Sequence, residues 1–299
     1  MVLFPMAAKP TPPRSPDFAQ TDPALGLLRM ASLLAEADAE PDGEALRLLC
    51  EQVQAGVLVD LAASEIWPEL VRGLMGRQPH KMIKILRECG ALTQLLPEVA
   101  ALGGVPQISD EPAAVDLGQH VVAALAEAAR RDAPLTVRFA LLVMNVGKAD
   151  SPPEHLPIHY KHIDRGRPRV ESLCERFGAS AERRDLALLS LAECERVHRV
   201  SKMRAGPVAA MLERLGAFGA PAQFKQLMTV CACDYCAYPG HSAQAYPKAA
   251  LLEIAFEACA EIGASEDCVD LIGEEARQYA RAEAIARAFR SQRWSDEMA

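Results

Sequence analysis

The sequence predicts an all-α protein, and three observations carry that prediction. Half of its 299 residues are apolar but only 5% are aromatic, a balance that suits helix packed on helix. Apolar residues recur at helical spacing, whereas alternating Val-Ile-Thr runs are scarce. Pro and Gly fall at the edges of the periodic segments, where they start and stop helices.

Residues 1–16, rich in Pro and basic side chains, cannot bury a core and read as a flexible tail. Asp22-Pro23 opens the first helix as N-cap and first helical residue, with Leu25, Leu28, Leu33 and Leu34 on its apolar side. A second helix spans about 43–54 and stops at Gly56. Ser64 caps a third, whose Trp67, Leu70, Val71 and Leu74 face inward. Pro79 opens a fourth, through Met82, Ile83, Ile85 and Leu86 to Gly90. The segment 92–97 leads into Gly103-Gly-Val-Pro106, and a domain division falls near 105. Further helices fit 116–131, 134–145, 159–177, 180–198, 205–216, 221–236, 247–262 and 266–292, with a Pro-rich loop over 146–158. No segment reads as a strand. The expected organisation is a tail (1–16), a helical body (17–105) and a second helical bundle (106–299).

Bulk properties exclude several function classes. No apolar run reaches the roughly 18 residues of a membrane span, and Met1-Val-Leu-Phe-Pro lacks the basic start of a signal peptide. Nine cysteines without framework spacing fit reduced thiols, hence a cytoplasmic protein. A net charge of −8 argues against a basic DNA-binding domain and confines any RNA contact to a local patch. Two such patches stand out. Arg77, Lys81 and Lys84, with Arg87, recur on one helix face, and Arg196, His198, Arg199, Lys202 and Arg204 cluster later. Arg165, Arg167 and Arg169 alternate after a His pair. Each group suits phosphate contact, and each equally fits a solvated face.

Residues 137–148, Val-Arg-Phe-Ala-Leu-Leu-Val-Met-Asn-Val-Gly-Lys, resemble the HD phosphohydrolase motif, in which His-Asp stands where this chain has Met144 and Asn145. Val146, Gly147 and Lys148 keep the frame. Of the superfamily's other ligand positions, His120, His159, His162 and Asp234 match, and Cys194 stands where relatives often carry another His. The wider order of segments resembles bacterial class II tRNA nucleotidyltransferases, the CCA-adding enzymes, of the type with a C-terminal HD domain. Four stretches carry this: Ser15-Pro-Asp-Phe-Ala with Thr21-Asp-Pro; Ala63-Ser-Glu-Ile-Trp-Pro-Glu-Leu with Ile85-Leu-Arg-Glu-Cys-Gly-Ala-Leu; Asp116-Leu-Gly-Gln-His with Val137-Arg-Phe-Ala; and Leu156-Pro-Ile-His-Tyr-Lys-His with Arg184-Asp-Leu-Ala.

The resemblance implies a neck, body and HD region, with the family's polymerase head expected before residue 15 and therefore missing. No Asp-x-Asp pair for two catalytic metals occurs anywhere in the chain. Hard divalent ions need anionic oxygen and imidazole ligands, and Met144 and Asn145 supply neither. The resemblance thus implies a non-catalytic relative that binds tRNA, another structured RNA or a protein, without cofactor. The alternatives are an HD-type phosphatase or cyclic phosphodiesterase using Mg, Mn or Ni on His120, His159, His162 and Asp234, or an accessory subunit to a separate head.

Plainer readings stand beside these. His120 fits a buried polar histidine. His159 and His162, at i and i+3, fit one helical face or a helix start, and Asp234 fits a buried carboxylate with an ionic partner. Cys231 and Cys233 lie about 200° apart on a helix, so with Cys236 they cannot close one zinc tetrahedron.

Overall fold

The computed structural model describes residues 22–37, 41–110, 113–200, 204–241, 246–264 and 274–298. The predicted tail over 1–16, most of the resembling stretch at 15–23, Lys202 and residues 266–273 of the last predicted helix lie outside them. The described residues form fourteen α-helices and one two-stranded sheet, and none of the helices is long and apolar enough to cross a membrane.

Helix α1 (Pro23–Glu36) begins as its sequence dictates: the Asp22 carboxylate accepts from the Leu25 N–H at 3.0 Å. Its buried side keeps Leu28 of the predicted leucine row, with Leu25 and Leu34 half-buried. Ala24, Leu27, Leu28, Ala31 and Ala35 face inward, while Leu33 is 40% exposed. The small residues win because the chain passes very close there; a Cβ added at Gly76 would lie 2.8 Å from the Ala35 carbonyl oxygen. Helix α2 (Gly43–Gln54) is capped by Asp42 and ends before Gly56, whose φ of 79° suits glycine.

Helix α3 (Ala63–Met75) starts one residue before the predicted cap. Ala62, not Ser64, holds the N-cap position, and Glu65 Oε2 accepts from the Ala62 N–H at 3.1 Å. Helix α4 (Pro79–Glu88) starts at its proline, so Arg77 lies in the preceding turn and not on the helix face assigned to it with Lys81 and Lys84. Short helices α5 (Ala91–Leu95) and α6 (Pro97–Ala100) follow.

The expectation of no strand fails at one place. Strands β1 (Pro106–Ile108) and β2 (Ala114–Asp116) pair antiparallel, with Pro106 opposite Asp116 and Ile108 opposite Ala114. Three-residue strands carry too little alternation to be read from sequence; tertiary partners described below hold this hairpin in place. Asp116 then caps α7 (Leu117–Arg130), its Oδ1 accepting from the Gln119 N–H at 2.8 Å.

Helix α8 (Leu135–Val143) is the spine of the second bundle. Every residue from Thr136 to Val143 is buried, because α8 packs against α3 and α7 and against α10 (Ala181–His198) and α12 (Pro221–Cys236). Helix α9 (His162–Arg176) lies on α10; α11 (Ala205–Arg214), α13 (Pro247–Ala264) and α14 (Glu274–Met298) close the far side. One hydrophobic core runs from α1 to α14. Trp67 joins its parts: its ring stacks on Phe177 at 5.6 Å and meets Phe139 edge-on at 5.8 Å.

Arg138 stitches α8 to α3. Its guanidinium is 2% exposed yet donates to the carbonyls of Leu74 (2.7 Å), Gly76 (2.8 Å) and Ala133 (2.8 Å), which satisfies the C-terminal carbonyls of α3. Burial lowers its pKa, but an arginine remains charged well above neutral pH. Replacing Arg138 with Leu leaves these carbonyls buried and unpaired. It should cost about 2–4 kcal/mol, read as a lower midpoint in urea unfolding.

Candidate functional site

Met144, Asn145 and Lys148 of the altered motif, with its distant matches His159, His162 and Asp234, line a cavity of about 710 Å³. Four helices and the hairpin supply its wall. Met144 and Asn145, at the end of α8, are 4% and 5% exposed and line it. The chain then makes a 3-10 turn over Val146–Lys148 that is pressed onto α9. Gly147 is required there: an added Cβ would run into the His162 carbonyl oxygen and lie 2.6 Å from the Gly166 nitrogen. The retained Val-Gly-Lys frame is therefore a packing element.

Lys148 turns inward, 5% exposed, and its Nζ donates to Gln107 Oε1 of β1 and pairs with Glu195 of α10, both at 2.9 Å. Burial opposes ionisation of Glu195, but Lys148 outweighs it and holds the carboxyl below its usual range.

His159 and His162 do not share a helical face as their spacing suggested. Lys161 adopts a left-handed conformation (φ 55°) and α9 starts only at His162. His159 is consumed by structure. Its Nε2 donates to the Pro106 carbonyl at 3.0 Å, and its Nδ1 accepts from Ser151 Oγ at 2.8 Å, so it ties the hairpin to the loop. His162 Nδ1 donates to the His159 carbonyl at 2.8 Å, which leaves its Nε2 toward the cavity, 3.9 Å from Glu195.

Asp234 sits at the centre. Oδ1 faces His120 Nε2 at 2.8 Å and Oδ2 faces His198 Nε2 at 2.9 Å, so α7, α10 and α12 meet on one carboxylate. Burial would raise its pKa, but the two imidazoles hold it well below the usual carboxylate range. Burial likewise opposes charging of His198, yet the Cys194 sulfur and the Asp234 hydrogen bond push it up to about 10. The His198 Nδ1 is fixed by the Tyr246 hydroxyl at 2.6 Å. Sequence reasoning placed His198 only in a basic surface cluster. The signal that marks it is Cys194-x-x-x-His198, two side chains one turn apart on the same face of α10.

The divalent ion that the HD resemblance implies does not fit these residues. Met144 offers a thioether, Asn145 a neutral amide, and both nitrogens of His159 are already bonded. A nucleophilic cysteine does not fit either: hydrogen bonding to Cys231 and burial push the Cys194 thiol well up, and burial pushes Cys233 up to about 12.

The predicted basic residues divide in two. Arg165 donates to the Gly147 and Tyr160 carbonyls and to Ser151 Oγ, at 3.1, 2.8 and 3.0 Å, and Arg169 bonds Val146 O and pairs with Asp150. Both are structural. Arg77, Lys84 and Arg167 are exposed, and Lys81 and Arg87 are half-buried. Arg196 and Arg199 are paired with Glu193 and Glu195.

Burial first, then the Lys148 charge, lowers the pKa of both His159 and His162 from 6.5. An unfolded chain then takes up these protons more readily. The stability each contributes is complete above pH 6.5 and is lost as pH falls through the lowered folded value. Thermal midpoints should therefore drop between about pH 7 and about pH 5, and His162→Asn, which keeps a donor for the His159 carbonyl, should make that drop shallower.

No family model matches the chain, but full-length relatives do. It is 41% identical to a multifunctional CCA protein of Cupriavidus necator over 81% of this chain and 60% of that protein. It is 38% identical to one of Nitrosospira multiformis over 82% of this chain and 59% of the relative. A third, from Cupriavidus taiwanensis, is 39% identical over 89% of the chain and 66% of the relative. The chain thus spans about 60% of the length of the curated relatives it matches. Across the matched segment this chain is a homologue of the multifunctional CCA proteins, and so a relative of the CCA-adding enzymes whose segment order its sequence follows.

Proposed function

We propose that this chain binds tRNA, as a relative of the CCA-adding enzymes, and that its second helical bundle does not carry out HD-type phosphohydrolysis. One observation carries the reading. At the cavity centre the HD ligand pair is replaced by buried Met144 and Asn145, while the matching His120 and Asp234 are committed to a His120–Asp234–His198 contact. Such a site lacks the central ligands for a hard divalent ion. The scaffold around it persists through Gly147, Arg138 and Lys148.

Support for RNA comes from the kinship with CCA proteins and from the unengaged part of the basic set. Among the described residues Arg77 and Lys84 are exposed and make no ion pair. Arg167 is exposed on α9. Phosphate contact needs positive charge without base readout, and it releases counterions, so binding must weaken steeply with salt.

Fluorescence anisotropy with tRNA at about 50 and about 200 mM salt tests this. Binding at low salt that weakens at high salt is the expected result; none at low salt would refute the RNA reading. The double variant Arg77→Glu, Lys84→Glu should flatten the slope of log K against log salt by about two while its thermal midpoint stays near that of the native chain. Turnover of 2′,3′-cyclic or p-nitrophenyl phosphate with Mg, Mn or Ni would contradict the absence of phosphohydrolysis.

A further inference from the structure

The carboxylate that anchors the cavity faces two further donors on α10: Cys194, which stands where HD relatives often carry a His, and His198 one turn on. Cys194 and His198 project from the same face of α10, and Asp234 comes from α12. Cys194 Sγ lies 3.4 Å from His198 Nε2 and 3.9 Å from Asp234 Oδ2, and the two latter atoms are 2.9 Å apart. All three donor atoms fall within 4.8 Å of one another. Around a tetrahedral zinc ion, bond lengths of about 2.0–2.3 Å put neighbouring sulfur, nitrogen and oxygen ligands about 3.4–3.6 Å apart. Each observed separation lies within about half an ångström of that range, so side-chain rotation alone closes the site.

We infer that Cys194, His198 and Asp234 form a binding site for a thiophilic divalent metal ion of the zinc class, in which a cysteine sulfur takes the place of an imidazole and neither Met144 nor Asn145 is a ligand. A thiolate, an imidazole and one carboxylate select zinc, or cobalt as its spectroscopic stand-in, over magnesium or calcium. The inference does not depend on RNA binding.

The groups behind the ligands are those a metal centre needs. Tyr246 fixes His198 through Nδ1 and directs Nε2 at the ion position. His120 Nε2 donates to Asp234 Oδ1, which leaves Oδ2 for the metal. The remaining nitrogen of His120, Nδ1, is buried and makes no hydrogen bond among the described residues. The fourth tetrahedral position opens to the cavity, where the buried Ser190 Oγ also lacks a partner. Water or an anionic oxygen of a cavity ligand completes the shell there. Binding displaces two protons to solvent, that of the Cys194 thiol and that of His198 Nε2.

The test uses the whole chain, stripped by a chelator, reloaded with zinc or cobalt and freed of excess ion. About one equivalent of zinc by elemental analysis is expected, with cobalt giving the thiolate charge-transfer and tetrahedral d–d absorption of a cysteine-ligated site. Cys194→Ser should abolish both signals. Tyr246→Phe should weaken affinity about 10-fold or more, and Cys89→Ser, a buried cysteine of α4, should retain the metal. Zinc should raise the thermal midpoint of the native chain and not that of Cys194→Ser, whose metal-free midpoint reports whether it folds. Less than about 0.2 equivalents in the native chain, or unchanged loading in a folded Cys194→Ser, would overturn the inference and leave the cluster a hydrogen-bonded triad only.

Discussion

The buried carboxylate of Asp234 fixes how α7, α10 and α12 meet, because a charge removed from water must find partners on every exposed lone pair. It finds them in His120 and His198, one imidazole to each oxygen. Neither helix can slide along the other without stranding the charge. Deleting one partner of such a cluster is far more damaging than never having had it, since the other charge stays buried. The pairing also accounts for a feature that coordination chemistry alone leaves odd: two matches to metal-ligand positions persist although the central pair between them is Met144 and Asn145.

A second constraint acts on the backbone. Gly147 crosses Gly166 so closely that neither chain has room for a larger residue without shifting. This contact seats the 3-10 turn on α9 and points Lys148 at Gln107 and Glu195. Arg138, earlier on α8, holds the C-terminal carbonyls of α3. The motif therefore has two separable layers. The framing residues Gly147 and Lys148 serve packing and polar satisfaction, whereas Met144 and Asn145 line the cavity without an ionisable group. Packing and cavity chemistry are carried by different atoms.

Where local chemistry decides, the sequence was legible. Asp22-Pro23 and Pro79 each start a helix, and the predicted span 221–236 matches α12 residue for residue. Where tertiary packing decides, it was not. The inward side of α1 follows its alanines because Gly76 approaches Ala35, a contact 41 residues away in sequence. The hairpin depends on His159 and Lys148, which reach it from beyond α8. Within the site, His120 and Asp234 were found by spacing and do touch. His198 was absorbed into a run of arginines, and Arg165 was read as a phosphate ligand although three protein oxygens already occupy it. Spacing reports which residues share a face; it does not report which hydrogen-bond capacity is already spent.

A buried acidic site poses an electrostatic problem as well as a chemical one. A buried carboxylate with no partner is an uncompensated charge in low dielectric. This chain sets His198 beside Asp234, and the hydrogen bond between them favours the protonated imidazole. Met144 meanwhile fills apolar volume at the cavity wall. Proton and metal compete for the same lone pair on His198 Nε2, so the two ways of neutralising Asp234 exclude each other while leaving the three helices where they are. The carboxylate is the fixed element, and the identity of the cation beside it is what such a scaffold can exchange without refolding.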